Sequence, residues 1–441
     1  MDKKKILLII LGVAALIALL WPPIEKELNN KFVGTGPNIE VVTSANINGV
    51  KLICDASGSM RGYVDFKQIT ESAKNNIISN VTTFINRVDE VYSPNEFLAV
   101  CGNTMYSNIF DFRRELTSNK VFKGGQSFLW NLIDEGVRYA SDSTVSVIVS
   151  DMVLSYGVDE IRRKGLNHNI VSLDGLKSNI ETAMKDAKKN GLDVMVLQYL
   201  SDFNGHYYYN CQENLESLSP ERKNNKYDNI LMKNRPYYLM LIGSKDNLMS
   251  IVKDGCYAEC NNMYASFVVA EPNLKEVNYD VKINDDKVWN AVSHPDVEDD
   301  GFYANYLPKD RTSFTISCSE FELPRYYYQN VDSFVVECEG PATVKVTGYT
   351  DNNIIMNLTT VPMNEFFNGR DAITNLDIYT EIDWYIGCSC DDDIVEESLE
   401  NKTWGLTALF SGINSVYYRG SVVTKSKVGT LSIHYVNNYE N

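Results

Sequence analysis

Between about residues 47 and 258, short and nearly continuous apolar runs alternate with amphipathic helical stretches. Such runs need cover on both faces, so the alternation predicts an α/β domain built on a doubly wound, mostly parallel sheet. Val50 to Cys54 is a strand that stops at Asp55. A helix is expected from about Phe66 to Val88, with Ile69, Ala73, Ile77, Val81 and Ile85 spaced by four. Phe97 to Cys101 is a second strand, Ile109 to Phe112 an edge strand, and Phe128 to Tyr139 a helix. Val145 to Val149 is a strand ending in Ser150-Asp151, followed by a helix from Leu173 to Lys189 and a strand from Leu192 to Tyr199. A strand from Tyr237 to Ile242 and a helix from Asn247 to Val252 close the series. The polar, Tyr-rich stretch from Ser201 to Arg235 reads as a surface insertion between the last two strands.

The chain has 441 residues, more than one ordinary core accommodates, so a second domain is expected. From about 264 to 441 the pattern changes to short period-2 runs, among them Val277–Ile283, Ser313–Cys318, Ser333–Cys338 and Ala342–Val346. Asp, Asn, Gly and Pro clusters separate them, which predicts a mainly β, sandwich-like domain. One helix is expected at about 404–416 and a closing strand at Thr430 to Val436.

The N-terminus sets the compartment. Lys3-Lys4-Lys5 precedes an apolar run from Ile6 to Trp21, followed by Pro22-Pro23. About 16 residues at 1.5 Å each cover roughly 24 Å, usable as a membrane helix with snorkelling lysines and an interfacial Trp. Lysines stay on the cytoplasmic side, so the rest of the chain is expected outside a bacterial-type inner membrane. A cleaved signal peptide is the other reading, but no small-residue cleavage site follows the run. We therefore expect an anchor over 1–24 and a linker over 25–46.

Asp and Glu outnumber Lys and Arg 58 to 41, for a net charge of −17. Such a surface repels phosphate backbones, so nucleic acid is not an expected partner. The nine cysteines include neighbours that an oxidising compartment could bridge: Cys256 with Cys260, Cys318 with Cys338, and Cys388 with Cys390. No C-x-x-C pair and only four scattered histidines (168, 206, 294, 434) argue against zinc.

The chemistry concentrates in Asp55-Ala56-Ser57-Gly58-Ser59, after a strand and before a helix. Loops at the carboxyl ends of strands are where open α/β sheets bind ligands. One carboxylate and two hydroxyls at alternate positions offer hard oxygens suited to magnesium, manganese or calcium. Short Asp/Ser/Gly loops also cap helices, so capping by Asp55 and Ser59 is the competing account. Thr104, in Gly102-Asn103-Thr104, is a further hydroxyl candidate, and Arg61 and Tyr63 stand close behind the motif.

Strand, D-x-S-x-S, helix resembles the first loop of the metal-ion-dependent adhesion site in von Willebrand factor A domains. That family completes its site with two more loops. Gly124-Gly125-Gln126-Ser127 precedes a helix where the family usually presents threonine, and offers Ser127. Asp151, after its apolar strand, matches the third-loop aspartate. The resemblance covers about Gly49 to Gly255. It implies that Ser57 and Ser59 bind a cation directly, and that Ser127, Asp55 and Asp151 bind directly or through water. It further implies Mg2+ (or Mn2+ or Ca2+) as cofactor and a position open to a carboxylate of a protein partner.

Acidic clusters at Asp296, Glu298, Asp299, Asp300 and at Asp391 to Asp393 lack calcium-loop spacing and read as solvated loops. The Tyr207-Tyr208-Tyr209 triplet fits either a recognition surface or packing. No G-x-S-x-G, H-E-x-x-H, phosphate-loop or G-x-G-x-x-G motif is present. The expectation is a membrane-held binding module without catalysis, with a scaffold carrying a vestigial metal site as the alternative. Oligomeric state is not legible.

Overall fold

The computed structural model describes residues 46–64, 76–118, 120–122, 129–153, 173–207, 227–268, 278–283, 291–292, 303–304, 313–319, 323, 325–329, 331–350, 353–360, 372–390, 400–418 and 425–435. The expected anchor and linker therefore lie outside the described residues, apart from Asn46. Among the described residues no helix is long and apolar enough to cross a membrane.

Seven strands form one mixed sheet: β1 (Gly49–Cys54), β2 (Glu96–Cys101), β3 (Thr104–Tyr106), β4 (Thr144–Ser150), β5 (Asp193–Tyr207), β6 (Tyr227–Gly243) and β7 (Asn262–Ala265). Their spatial order is β3-β2-β1-β4-β6-β5-β7. β1 pairs in parallel with β2 and β4, whereas the contacts β2–β3, β4–β6, β6–β5 and β5–β7 are all antiparallel. The expected mostly parallel sheet is thus corrected to a mixed one. The cause is a long hairpin: β6 follows β5 directly in the sheet and lodges between β5 and β4.

The same hairpin corrects the insertion expected over 201–235. Residues up to Tyr207 and from Tyr227 onward are its arms, and Phe203, Tyr207, Ile230, Met232 and Arg235 are buried. Residues 208–226, with the rest of the tyrosine triplet, lie outside the described residues.

Helices cover both faces. Helix α1 (Ile77–Tyr92) starts at Asn76, whose side chain accepts the Ser79 N–H. Asn80 of α1 reaches the Tyr237 hydroxyl on one face of β6. Helix α2 spans Ile109–Thr117. The edge strand expected at Ile109 to Phe112 is its first turn, because the Asn108 side chain accepts the N–H groups of Phe110 and Asp111. The edge strand is instead β3. On the opposite face of the sheet α3 (Leu129–Tyr139) lies against β4, where the carbonyl of Gly136 accepts the Ser146 hydroxyl. A Cβ on Gly136 would come within 3.0 Å of Ile148, so the glycine sets that approach. Helices α4 (Leu173–Lys189) and α5 (Lys245–Lys253) complete the layer structure.

Farther along, Ala342–Tyr349, Ile354–Thr360, Ser313–Ser319 and Asn278–Ile283 form one antiparallel sheet. Phe334–Glu339, Ala372–Glu381 and Lys425–Tyr435 form another. Alternate residues are buried, such as Ile354, Met356 and Leu358. The helix expected at 404–416 appears as α6 (Leu406–Tyr417), and it packs on α4 of the first sheet. There Lys188 donates to the carbonyl of Val416, and the Tyr417 hydroxyl to the carbonyl of Leu192. Residues Ala45–Asn441 accordingly form one compact unit.

The eight cysteines among the described residues are free thiols, so none of the three conceivable bridges is formed. Burial pushes Cys256 up to about 11 and Cys260 and Cys318 up to about 12, which disfavours the reactive thiolate.

Candidate metal centre

β1 and β4 are parallel neighbours with Cys54 opposite Val149, so their carboxyl ends release two adjacent loops. The Asp55 N–H continues the ladder by donating to the Val149 carbonyl at 2.8 Å. Asp55 is therefore anchored by sheet geometry, and both its oxygens are engaged. Oδ1 accepts the Ser57 N–H at 2.8 Å, which folds the loop back on itself. Oδ2 accepts the Ser150 hydroxyl at 2.8 Å, which ties the first loop to the end of β4.

The two motif serines meet: Ser57 Oγ and Ser59 Oγ are 3.0 Å apart. The Ser59 hydroxyl also lies against Asp151 and favours its charged form. Asp151 is held by a turn that starts one residue later. Met152, fully buried, adopts the left-handed backbone with φ 55, a conformation costing a non-glycine residue roughly 1–2 kcal/mol. That turn sends the Met152 N–H to Ser150 Oγ at 3.0 Å and the Val153 N–H to Asp151 Oδ1 at 3.2 Å.

Four of the five expected ligands, Asp55, Ser57, Ser59 and Asp151, are thus drawn into one cluster. Ser127 lies outside the described residues. The segment Ser59–Tyr63 is a short 3-10 turn whose N-cap is Gly58, with no side-chain cap hydrogen bond, and the start of the helix expected from about Phe66 lies outside the described residues. Among the described residues no contact brings Thr104 to the cluster; it pairs with Cys101 across the β2–β3 turn. Gly102 in that turn has φ 58 and faces Ala56, where a Cβ would meet Ala56 Cβ at 3.3 Å. Arg61 is exposed. Tyr63 is buried and donates to the Pro236 carbonyl at 2.6 Å. The two acidic clusters at 296–300 and 391–393 lie outside the described residues.

Two members of the site were not expected from the sequence. Ser150 is the first. Its only sequence signal is its position between a buried strand and Asp151. Arg235 is the second. Because β6 runs antiparallel to β4, its N-terminal half passes the carboxyl end of β4 and brings Arg235 beside Asp151. The guanidinium is fully buried, and its Nη2 stands 3.8 Å from Asp151 Oδ2. It lies over the rings of Tyr207 at 4.3 Å and Phe203 at 5.4 Å. Placing an arginine in a presumed surface insertion is what concealed it.

Burial pushes the Asp151 carboxyl up to about 6, with Asp55 adding to the rise. Arg235, the Val153 N–H and the Ser59 hydroxyl pull the other way. Asp151 Oδ2 is buried, and no described donor meets it in ordinary hydrogen-bond geometry. Asp151, whose Oδ2 faces the Arg235 guanidinium at 3.8 Å, and the two touching hydroxyls make an oxygen donor set that a hard cation fits. No group of three or more His, Cys, Asp and Glu gathers among the described residues. Compared with family models, curated proteins and solved structures, the chain matches none.

Proposed function

We propose that this cluster binds a hard divalent cation, Mg2+ or alternatively Mn2+ or Ca2+, and through it a carboxylate of a protein partner. The single observation that supports this reading is the convergence of Asp55, Ser57, Ser59 and Asp151 at the carboxyl ends of β1 and β4. It supplies two of the three loops that the adhesion-site resemblance calls for. Ser57 and Ser59 would hold the ion through neutral hydroxyls, with Asp55, Asp151 and Ser127 directly or through water. A cation held mainly by neutral oxygens keeps enough positive charge to attract an acidic side chain. Ser150 keeps Asp55 oriented, and the Met152 turn keeps Asp151 aimed inward.

On this reading the chain is a membrane-held adhesion or assembly module of the von Willebrand factor A type, without catalysis. The apolar run from Ile6 to Trp21 would anchor it in the cytoplasmic membrane with the bulk outside. The two C-terminal sheets would form a sandwich serving as spacer or assembly surface.

A second reading has its own observation. Arg235 already sets a positive charge beside Asp151, which suits a scaffold whose metal site is vestigial. Calorimetric titration of the full chain with Mg2+, Mn2+ and Ca2+ separates the two. Binding of one ion, lost in Asp55→Ala while the fold persists, supports the binding module. Absence of binding at millimolar ion supports the scaffold.

A further inference from the structure

We infer that Arg235 is the residue that sets how tightly this site holds a cation, acting as a built-in competitor for the charge of Asp151. The inference rests on the proposed cation site and specifies its control.

The guanidinium is enclosed within the site. It is fully buried, and a charged group with no path to water must be balanced where it stands. Among the described residues its counter-charge is Asp151, 3.8 Å away. Strict hydrogen bonds do not explain its position, because Nε, Nη1 and Nη2 meet no acceptor in ordinary geometry among the described residues, and the looser hydrogen bond that favours its charge comes from Tyr207, one of the rings it lies over. Shape and ring electrostatics do. Tyr207 and Phe203 both lie under the guanidinium, and Phe203 is itself locked by a T-shaped contact with Tyr63 at 5.0 Å. Gly62 permits this packing, since a Cβ there would fall 2.2 Å from the Phe203 ring. The segment just after the Asp55–Ser59 loop thus holds the cage that holds Arg235.

A fixed positive charge at this place opposes a divalent ion twice. It repels the ion through a medium that screens poorly, and it satisfies a carboxylate that would otherwise attract the ion. Removing the charge should therefore tighten cation binding, although it removes a buried ion pair. A purely structural Arg235 would give the opposite result, because a loosened site binds less well.

The test is calorimetric titration of Mn2+ and Mg2+ into the full chain in detergent, for wild type, Arg235→Met, Arg235→Gln and Arg235→Lys. The neutral variants are expected to bind at least about tenfold more tightly than wild type, and the lysine variant within about threefold of it. A neutral variant that folds only with Mn2+ present supports the same conclusion, since the ion then replaces the guanidinium beside Asp151. Neutral variants that bind no tighter than a wild type that does bind, or stay unfolded in millimolar Mn2+, overturn the role of Arg235 and leave the cation site standing. If neither wild type nor folded neutral variants bind, the cation site itself falls.

Discussion

The Ser150 hydroxyl donates to Asp55 Oδ2 at 2.8 Å, a buried bond that joins loops 95 positions apart in the chain. It makes the end of β4 the support for the first candidate ligand. A hydrogen bond to a buried carboxylate contributes about 1.5–3 kcal/mol. Ser150→Ala should therefore lower unfolding free energy by roughly 2 kcal/mol in urea denaturation, and also weaken cation binding. Unchanged stability would mean that Asp55 is oriented by other groups.

Gly62 is required by close approach. A Cβ there would lie 2.2 Å from Phe203, a ring packed against Tyr63 and over which Arg235 lies. Gly62→Ala should cost about 2–3 kcal/mol of stability, because the ring has no free space to yield. The check is the urea midpoint compared with Gly191→Ala, which meets no neighbouring atom within 4 Å. That glycine has φ 70, so its alanine variant reports backbone strain alone.

If the proposed site holds a cation, Asp151 should make its binding depend on pH. Its folded value of about 6 lies above the unfolded carboxyl value of about 3.9. Between those limits the folded chain holds a proton that the unfolded chain has lost, so this group's contribution to stability falls as pH rises from about 4 to about 6. A cation competes with that proton. Stabilisation by millimolar Mg2+, read as a shift in melting temperature, should be full above pH 7 and fade as pH falls through about 6. A shift equally large at pH 5 would show that Asp151 is not a ligand.

Helix α6 closes against α4 at Gly412, where a Cβ would meet the Lys177 carbonyl and Ile180 Cβ, both at 2.9 Å. Gly412→Ala should displace the helix and destabilise the sheet it covers. Fluorescence and circular dichroism should report one shared unfolding transition, moved to lower denaturant. Two separated transitions would indicate that the C-terminal helix and the first sheet unfold independently.

Much of this was legible in the chain. Strand ends at or next to Cys54 and Ser150 were readable because largely buried strands are written as nearly continuous apolar runs, and helix Leu173–Lys189 because its apolar spacing is regular. The inner halves of β5 and β6 were readable as apolar strands, but their continuation through Tyr207 and from Tyr227 was not, because polar residues such as Asp202, Asn204, Lys233 and Asn234 break the apolar pattern there. Ile109 to Phe112 alternates like a strand, and only the Asn108 cap makes it a helix. Arg235 was hidden for a topological reason: its nearness to Asp151 follows from the antiparallel insertion of β6 beside β4, which no local pattern announces.

Anomalous diffraction from crystals soaked in Mn2+ tests the cation site most directly. The account predicts one anomalous peak with Ser57 Oγ and Ser59 Oγ at roughly 2.0–2.6 Å, the range for hard cations on oxygen, and with Asp55 and Asp151 next to it. A peak elsewhere only, or none at the carboxyl ends of β1 and β4 at millimolar Mn2+, would contradict it.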